Sequence, residues 1–96
     1  MELKDIRNKL KECQPYFIEK ELIDKLYWNE EVNFEGLNID YWSFFYAFIR
    51  KLSDKAIGVR MGYAKPTINN RIKKILERNK YLITEFLLNH SQYINK

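Results

Sequence analysis

Asp54-Lys55-Ala56-Ile57-Gly58-Val59-Arg60-Met61-Gly62-Tyr63-Ala64-Lys65-Pro66-Thr67-Ile68-Asn69-Asn70-Arg71-Ile72 reads as two helices folded back on each other through a tight connection. Ser53 is a good N-cap, with Asp54 well placed in the first turn that follows. Ile57 and Met61 lie four apart and face a core. Gly58 sits where the first helix must pass close to the second, and a larger side chain there would push the two apart. Gly62 follows the last turn, where a left-handed residue satisfies the orphan carbonyls. Tyr63-Ala64-Lys65 is then a connection of about three residues. Pro66 suits the first turn of the next helix, where a missing N–H costs nothing. Ile68, Ile72, Ile75 and Leu76 supply its buried stripe.

Upstream, Tyr41 to Leu52 is predicted as a helix that is apolar nearly all round, capped by Asn38 or Asp40. Such a helix is central to the core or shared with a partner chain. Residues 29–40 break the helical period: Val32 and Phe34, then Leu37 and Ile39, alternate with polar residues around Glu35-Gly36. That pattern admits a short hairpin at 32–39 or an irregular loop pinned by four apolar side chains, the loop being preferred. Before it, Leu3, Ile6, Leu10 and Cys13 repeat at spacings of three and four, the mark of an amphipathic helix. Gln14-Pro15 ends that helix. A second runs from Pro15 to about Tyr27, burying Phe17, Ile18, Leu22, Ile23 and Leu26. Downstream, Tyr81 to Ile94 extends the preceding helix or forms another, with Leu82, Ile83, Phe86, Leu87, His90, Tyr93 and Ile94 on a broad apolar face. It packs on the N-terminal helices or meets a second copy of the chain.

These elements make an all-α chain of about five helices. The 96 residues suffice for one core, with only three glycines and two prolines to interrupt helices. Its 1–40 segment is a buttress or dimerisation unit, 41–80 the paired-helix unit and 81–96 a C-terminal helix. No apolar run approaches the ~18 residues of a membrane span. Met1-Glu2-Leu3-Lys4-Asp5 is not ordered like a signal peptide, so a cytoplasmic location without membrane attachment is expected. The net charge of +4 is unevenly placed. Residues 1–52 carry eight Lys/Arg against ten Asp/Glu, whereas residues 53–96 carry nine against three. A basic block beside an acidic one suits a chain that presents one face to phosphate, although a solvated basic helix would look the same.

The side chains left outside the apolar stripe of the second helix are Thr67, Asn69, Asn70, Arg71, Lys73 and Lys74, with Lys65 at its entrance. Asparagine can pair bidentately with adenine and arginine with guanine, while lysine and threonine suit backbone oxygens. Here the chain resembles a known family. Ile57 to Ile72 looks like the helix-turn-helix of region 4 of sigma factors and of the small phage-type transcriptional regulators that share it. Gly58, Gly62 and Ile68 match its small residue, glycine and β-branched spacing. Thr67-Ile68-Asn69-Asn70-Arg71-Ile72 matches its frequent Thr-Val-x-x-Arg-Leu start of the recognition helix. The aromatic helix Tyr41 to Leu52 resembles the support helix of such domains. Gly58 stands where alanine is commoner, and Pro66 where serine or a charged residue is usual. The resemblance covers residues 41–80.

It implies a double-stranded DNA-binding protein that inserts helix 66–80 into the major groove, starting from Lys65-Pro66-Thr67. Asn69, Asn70 and Arg71 are the expected base readers, Arg71 alternatively holding a phosphate. Lys55, Arg60, Lys73, Lys74 and Arg78 are expected to grip the backbone. A homodimer would set two such helices on successive major grooves. The rival reading is a protein-interaction module, for RNA polymerase or another host protein, built on Trp28, Phe34, Tyr41, Trp42, Phe44 and Phe45. RNA is a weaker option, because few aromatics interleave the basic segment.

Nothing points to catalysis, a metal or a cofactor. Glu30 and Glu31 are adjacent and diverge, and one cysteine with one histidine makes no structural zinc site. Cys13 is expected to be an inert core thiol and His90 a packed or capping histidine.

Overall fold

The computed structural model describes residues 1–89; the expectations for His90, Tyr93 and Ile94 lie outside them. Among the described residues the chain forms six α-helices: α1 Leu3–Glu12, α2 Pro15–Glu21, α3 Ile39–Phe44, α4 Asp54–Met61, α5 Lys65–Arg78 and α6 Lys80–Asn89. The all-α expectation holds, with one more helix than the sequence suggested. None of them is long and apolar enough to cross a membrane.

One core joins all six. Ile6 and Leu10 of α1 meet Ile68, Ile72, Ile75 and Leu76 of α5 together with Ile83, Phe86 and Leu87 of α6. Cys13 lies buried just beyond α1 as a free thiol, and burial pushes its pKa up. Each fully buried leucine or isoleucine contributes about 1.5–3 kcal/mol. The helical stripes read from the sequence therefore supply the apolar interior.

The second helix is shorter than predicted. α2 stops at Glu21, one 3-10 turn follows at Ile23–Lys25, and the backbone is extended at Leu26. Beyond that turn, Tyr27 is held from 52 residues away, by Asn79. Its buried amide accepts from Tyr27 N at 2.7 Å and donates to Tyr27 O at 3.1 Å and Ile75 O at 3.0 Å. With its peptide groups claimed by a side chain, Tyr27 stays outside the helix. Leu22, Ile23 and Leu26 stay buried regardless.

Residues 29–38 form a loop with a single bridge between Val32 and Asn38 rather than a hairpin. The pins expected from the sequence are wrong in part: Val32 and Phe34 are exposed, at 54% and 77%. Asn33 replaces them. Its buried side chain accepts from Glu35 N and Leu37 N, at 2.9 and 3.0 Å, closing a turn in which Gly36 takes φ +81°. Polar satisfaction of the turn's own amides, rather than apolar burial, fixes this loop.

Asn38 caps α3 as expected, accepting from Tyr41 N at 2.8 Å. The helix continues as a π-helical segment, Phe45–Ile49, and ends before the predicted Leu52. Lys51 explains the stop. It adopts a left-handed φ of 57°, and its ammonium donates to Leu10 O and Cys13 O, both at 2.9 Å, closing the C-terminal end of α1. Phe44, Ala47 and Phe48 enter the core, while Tyr41, Trp42, Phe45 and Tyr46 make a half-buried aromatic shelf.

Candidate nucleic-acid interface

The α4–α5 pair is built largely as its sequence suggests. Ser53 accepts from Ala56 N at 3.2 Å and caps α4. Gly62 is left-handed, φ +82°, and its N–H reaches Gly58 O at 2.8 Å. Tyr63 N donates to the same carbonyl at 2.8 Å. Gly58 itself has no room for a side chain: a Cβ there would collide with the Tyr63 carbonyl oxygen. What crowds it is the connecting segment rather than α5. Ala64 precedes α5 with no side-chain acceptor, Pro66 has no N–H, and Thr67 N bonds Ala64 O at 3.1 Å, so few donors of the first turn stay open.

The basic and amide side chains of α5 divide among three directions. Thr67, Asn70, Lys73 and Lys74 are exposed and follow one outward face at spacings of three and four. Lys65 is exposed at its start. Glu77 is the first acid to share this face, more than two turns in.

Asn69, an expected base reader, turns instead toward α4. Its amide donates to Asp54 Oδ2 at 3.0 Å, while Arg7 of α1 bonds Asp54 Oδ1. Burial works to raise the Asp54 pKa, but the bonds from Asn69 and Arg7, with the charge of Arg7, outweigh it and hold the carboxyl below its ordinary value.

Arg71 and Arg78 point to the opposite flank. Arg71 forks onto Glu31 at 2.9 and 3.1 Å and lies 3.6 Å from the buried Asp40. The bonds from Arg71 hold the Glu31 carboxyl below its usual range, and Glu31 in turn raises Arg71. Arg78 donates to Asp40 Oδ2 at 2.9 Å and covers the Tyr27 ring. On α4, Lys55 is exposed, and Arg60 is exposed over the Tyr46 ring, 5.5 Å from its centroid.

Sequence reading thus identified the four side chains of the outward face. It missed the acids Glu31, Asp40 and Asp54 that take up Arg71, Arg78 and Asn69. It also missed Lys4 and Arg7 of α1, which line a groove with Lys65, Asn69 and Lys73. The acidic excess of residues 1–52 was the one available signal for the carboxylate partners, and it names no positions.

No family model, curated protein or solved structure matches the chain. The chemistry open to this face is that of its own side chains. Asn70 can offer a donor and an acceptor together to a base edge, Thr67 a hydroxyl, and the lysines point charges for phosphate. Among the described residues no cluster of metal-ligating side chains accompanies them.

Proposed function

We propose that the chain binds double-stranded DNA sequence-specifically, laying α5 in the major groove as the recognition helix of a helix-turn-helix. We further propose that it acts as a small regulator of the phage or mobile-element kind. The observation that carries this reading is the outward face of α5. Thr67, Asn70, Lys73 and Lys74 stand exposed on it without ion-pair partners among the described residues. Asn70 and Thr67 would read bases, while Lys55, Lys65, Lys73 and Lys74 would neutralise phosphates. Asn69 would position rather than read, because Asp54 already holds its amide.

The rival interaction surface loses most of its area to internal packing. Phe44 is buried, and Trp28, Tyr41, Trp42 and Phe45 stack edge to face among themselves and on the core. Phe34 alone of that group is widely exposed.

The test is fluorescence-anisotropy binding to random-sequence duplex DNA over a salt series. Wild-type affinity should fall steeply as salt rises. The Lys73→Ala/Lys74→Ala double variant should bind all duplexes more weakly, with a log–log salt slope shallower by roughly two. Absence of binding at low salt would overturn the proposal.

Glu31 offers a second readout of the same interface. It pairs with Arg71 through a two-pronged contact whose Glu31 side is half exposed, while Asp40 holds Arg71 from the buried side. Glu31→Gln should leave Arg71 anchored by Asp40, keep the fold, remove a repulsive charge and loosen the Arg71 guanidinium enough to meet a phosphate. The expected result is tighter DNA binding, with a salt slope steeper by about one. Unchanged affinity and slope would mean that Arg71 stays off the DNA.

A further inference from the structure

We propose that the groove between the start of α1 and α5 is a phosphodiester-binding site, which takes a backbone phosphate of the duplex that α5 enters; this rests on the DNA-binding reading above. The groove is lined by Lys4, Arg7, Lys65 and Lys73, with Asp54 its only carboxylate. Asp54 is fully engaged, one oxygen by Arg7 and the other by Asn69 at 3.0 Å. Lys4, Lys65 and Lys73 have no carboxylate partner among the described residues. Four cations against one internally satisfied carboxylate leave the groove strongly positive.

The backbone adds to that field. Lys4 is the second residue of α1 and Lys65 the first of α5, and neither helix has a side-chain acceptor at its N-cap. The first-turn amides of α1, and the Lys65 amide of α5, therefore start beside the groove without a side-chain acceptor, since Pro66 has no N–H and Thr67 N bonds Ala64 O. Asp5, in the first turn of α1, is exposed and does not line it. A singly charged, multiply accepting phosphodiester suits such a site better than a carboxylate, since several donors converge on it from two helices.

Lys73 ties the groove to the duplex. It belongs both to the groove and to the outward face of α5, so a phosphate held here is continuous with DNA lying on that face. In this arrangement α1 acts as a second grip, outside the paired helices. The contact adds affinity without reading sequence.

The experiment uses the full chain, random-sequence duplex and a salt series, with Lys4→Ala, Lys4→Arg and Lys74→Ala compared with wild type. Lys4 is exposed, and thermal melts will check that each variant keeps its fold. Lys4→Ala should weaken binding to every duplex and flatten the log–log salt slope by about 0.9, while Lys4→Arg restores it. If Lys74→Ala flattens the slope and Lys4→Ala does not, the groove proposal is overturned and α5 keeps its assignment. If neither changes it, the groove proposal is overturned together with the assignment of α5, whereas absence of wild-type binding overturns the DNA reading itself. A Lys4-dependent response to inorganic phosphate alone, with duplex affinity unaltered, would also overturn the assignment to DNA.

Discussion

Gly58→Ala lowers the melting temperature by roughly 8–16 °C, the equivalent of about 2 kcal/mol in a domain of this size. Two effects oppose each other. Alanine in a helix interior gains up to ~1 kcal/mol over glycine. Against this, the added methyl meets the carbonyl oxygen of Tyr63, a backbone atom that cannot rotate aside. Tyr63 N and Gly62 N both donate to Gly58 O, so moving the connection to make room also strains two 2.8 Å hydrogen bonds. Overpacking of this kind costs typically 1–3 kcal/mol, and the lack of a soft neighbour puts this site at the upper end. Thermal unfolding followed by circular dichroism measures it. An unchanged or raised melting temperature would show that the Tyr63–Ala64 connection does not press on Gly58 as closely as described.

The same residue shows what local sequence carries and where it stops. Gly58 was legible as a close approach because a glycine in a helix interior needs a reason. The neighbour that crowds it was not, since that depends on how Gly62 reverses the chain. The apolar stripes of α1 and α5 and the caps at Ser53 and Asn38 are local patterns, and each lies where periodicity puts it. The extended path at Tyr27 was not legible, because Asn79, far along the chain, claims its backbone. α3 and its π-helical continuation ended early because Lys51 turns to close α1.

The candidate interface divides in the same way. Exposure of Thr67, Asn70, Lys73 and Lys74 follows from helical spacing against a known apolar stripe. The engagement of Asn69, Arg71 and Arg78 depends on carboxylates brought from 15, 40 and 38 residues away. Nothing in the spacing of α5 distinguishes an arginine aimed at DNA from one already paired at home. Charge totals signalled that partners existed, and only the packing of α3, α4 and the 29–38 loop selects them.

Asp54→Ala should destabilise the domain by about 3 kcal/mol. Removing one partner of a buried ion pair costs ~3–5 kcal/mol, because the remaining charge is left uncompensated. The side chains of Arg7 and Asp54 keep 17% and 9% exposure, which places this pair at the lower end. Loss of a negative charge from the first turn of α4 adds ~0.3–1 kcal/mol. Asp54→Asn retains shape and a partner for Asn69 but removes the charge, and pH then isolates the ionic part. The folded-state pKa of Asp54 lies below its unfolded value of about 3.9, so its contribution is present above that value and lost as pH falls through the folded one. Chemical denaturation at stepped pH should give a wild-type advantage over Asp54→Asn that is constant near neutrality and shrinks below about pH 4. An advantage that persists undiminished well into acid would mean that the contact is not ionic. Because Asp54 joins Arg7 of α1, its own helix α4 and Asn69 of α5, its loss should also loosen α1 against α5.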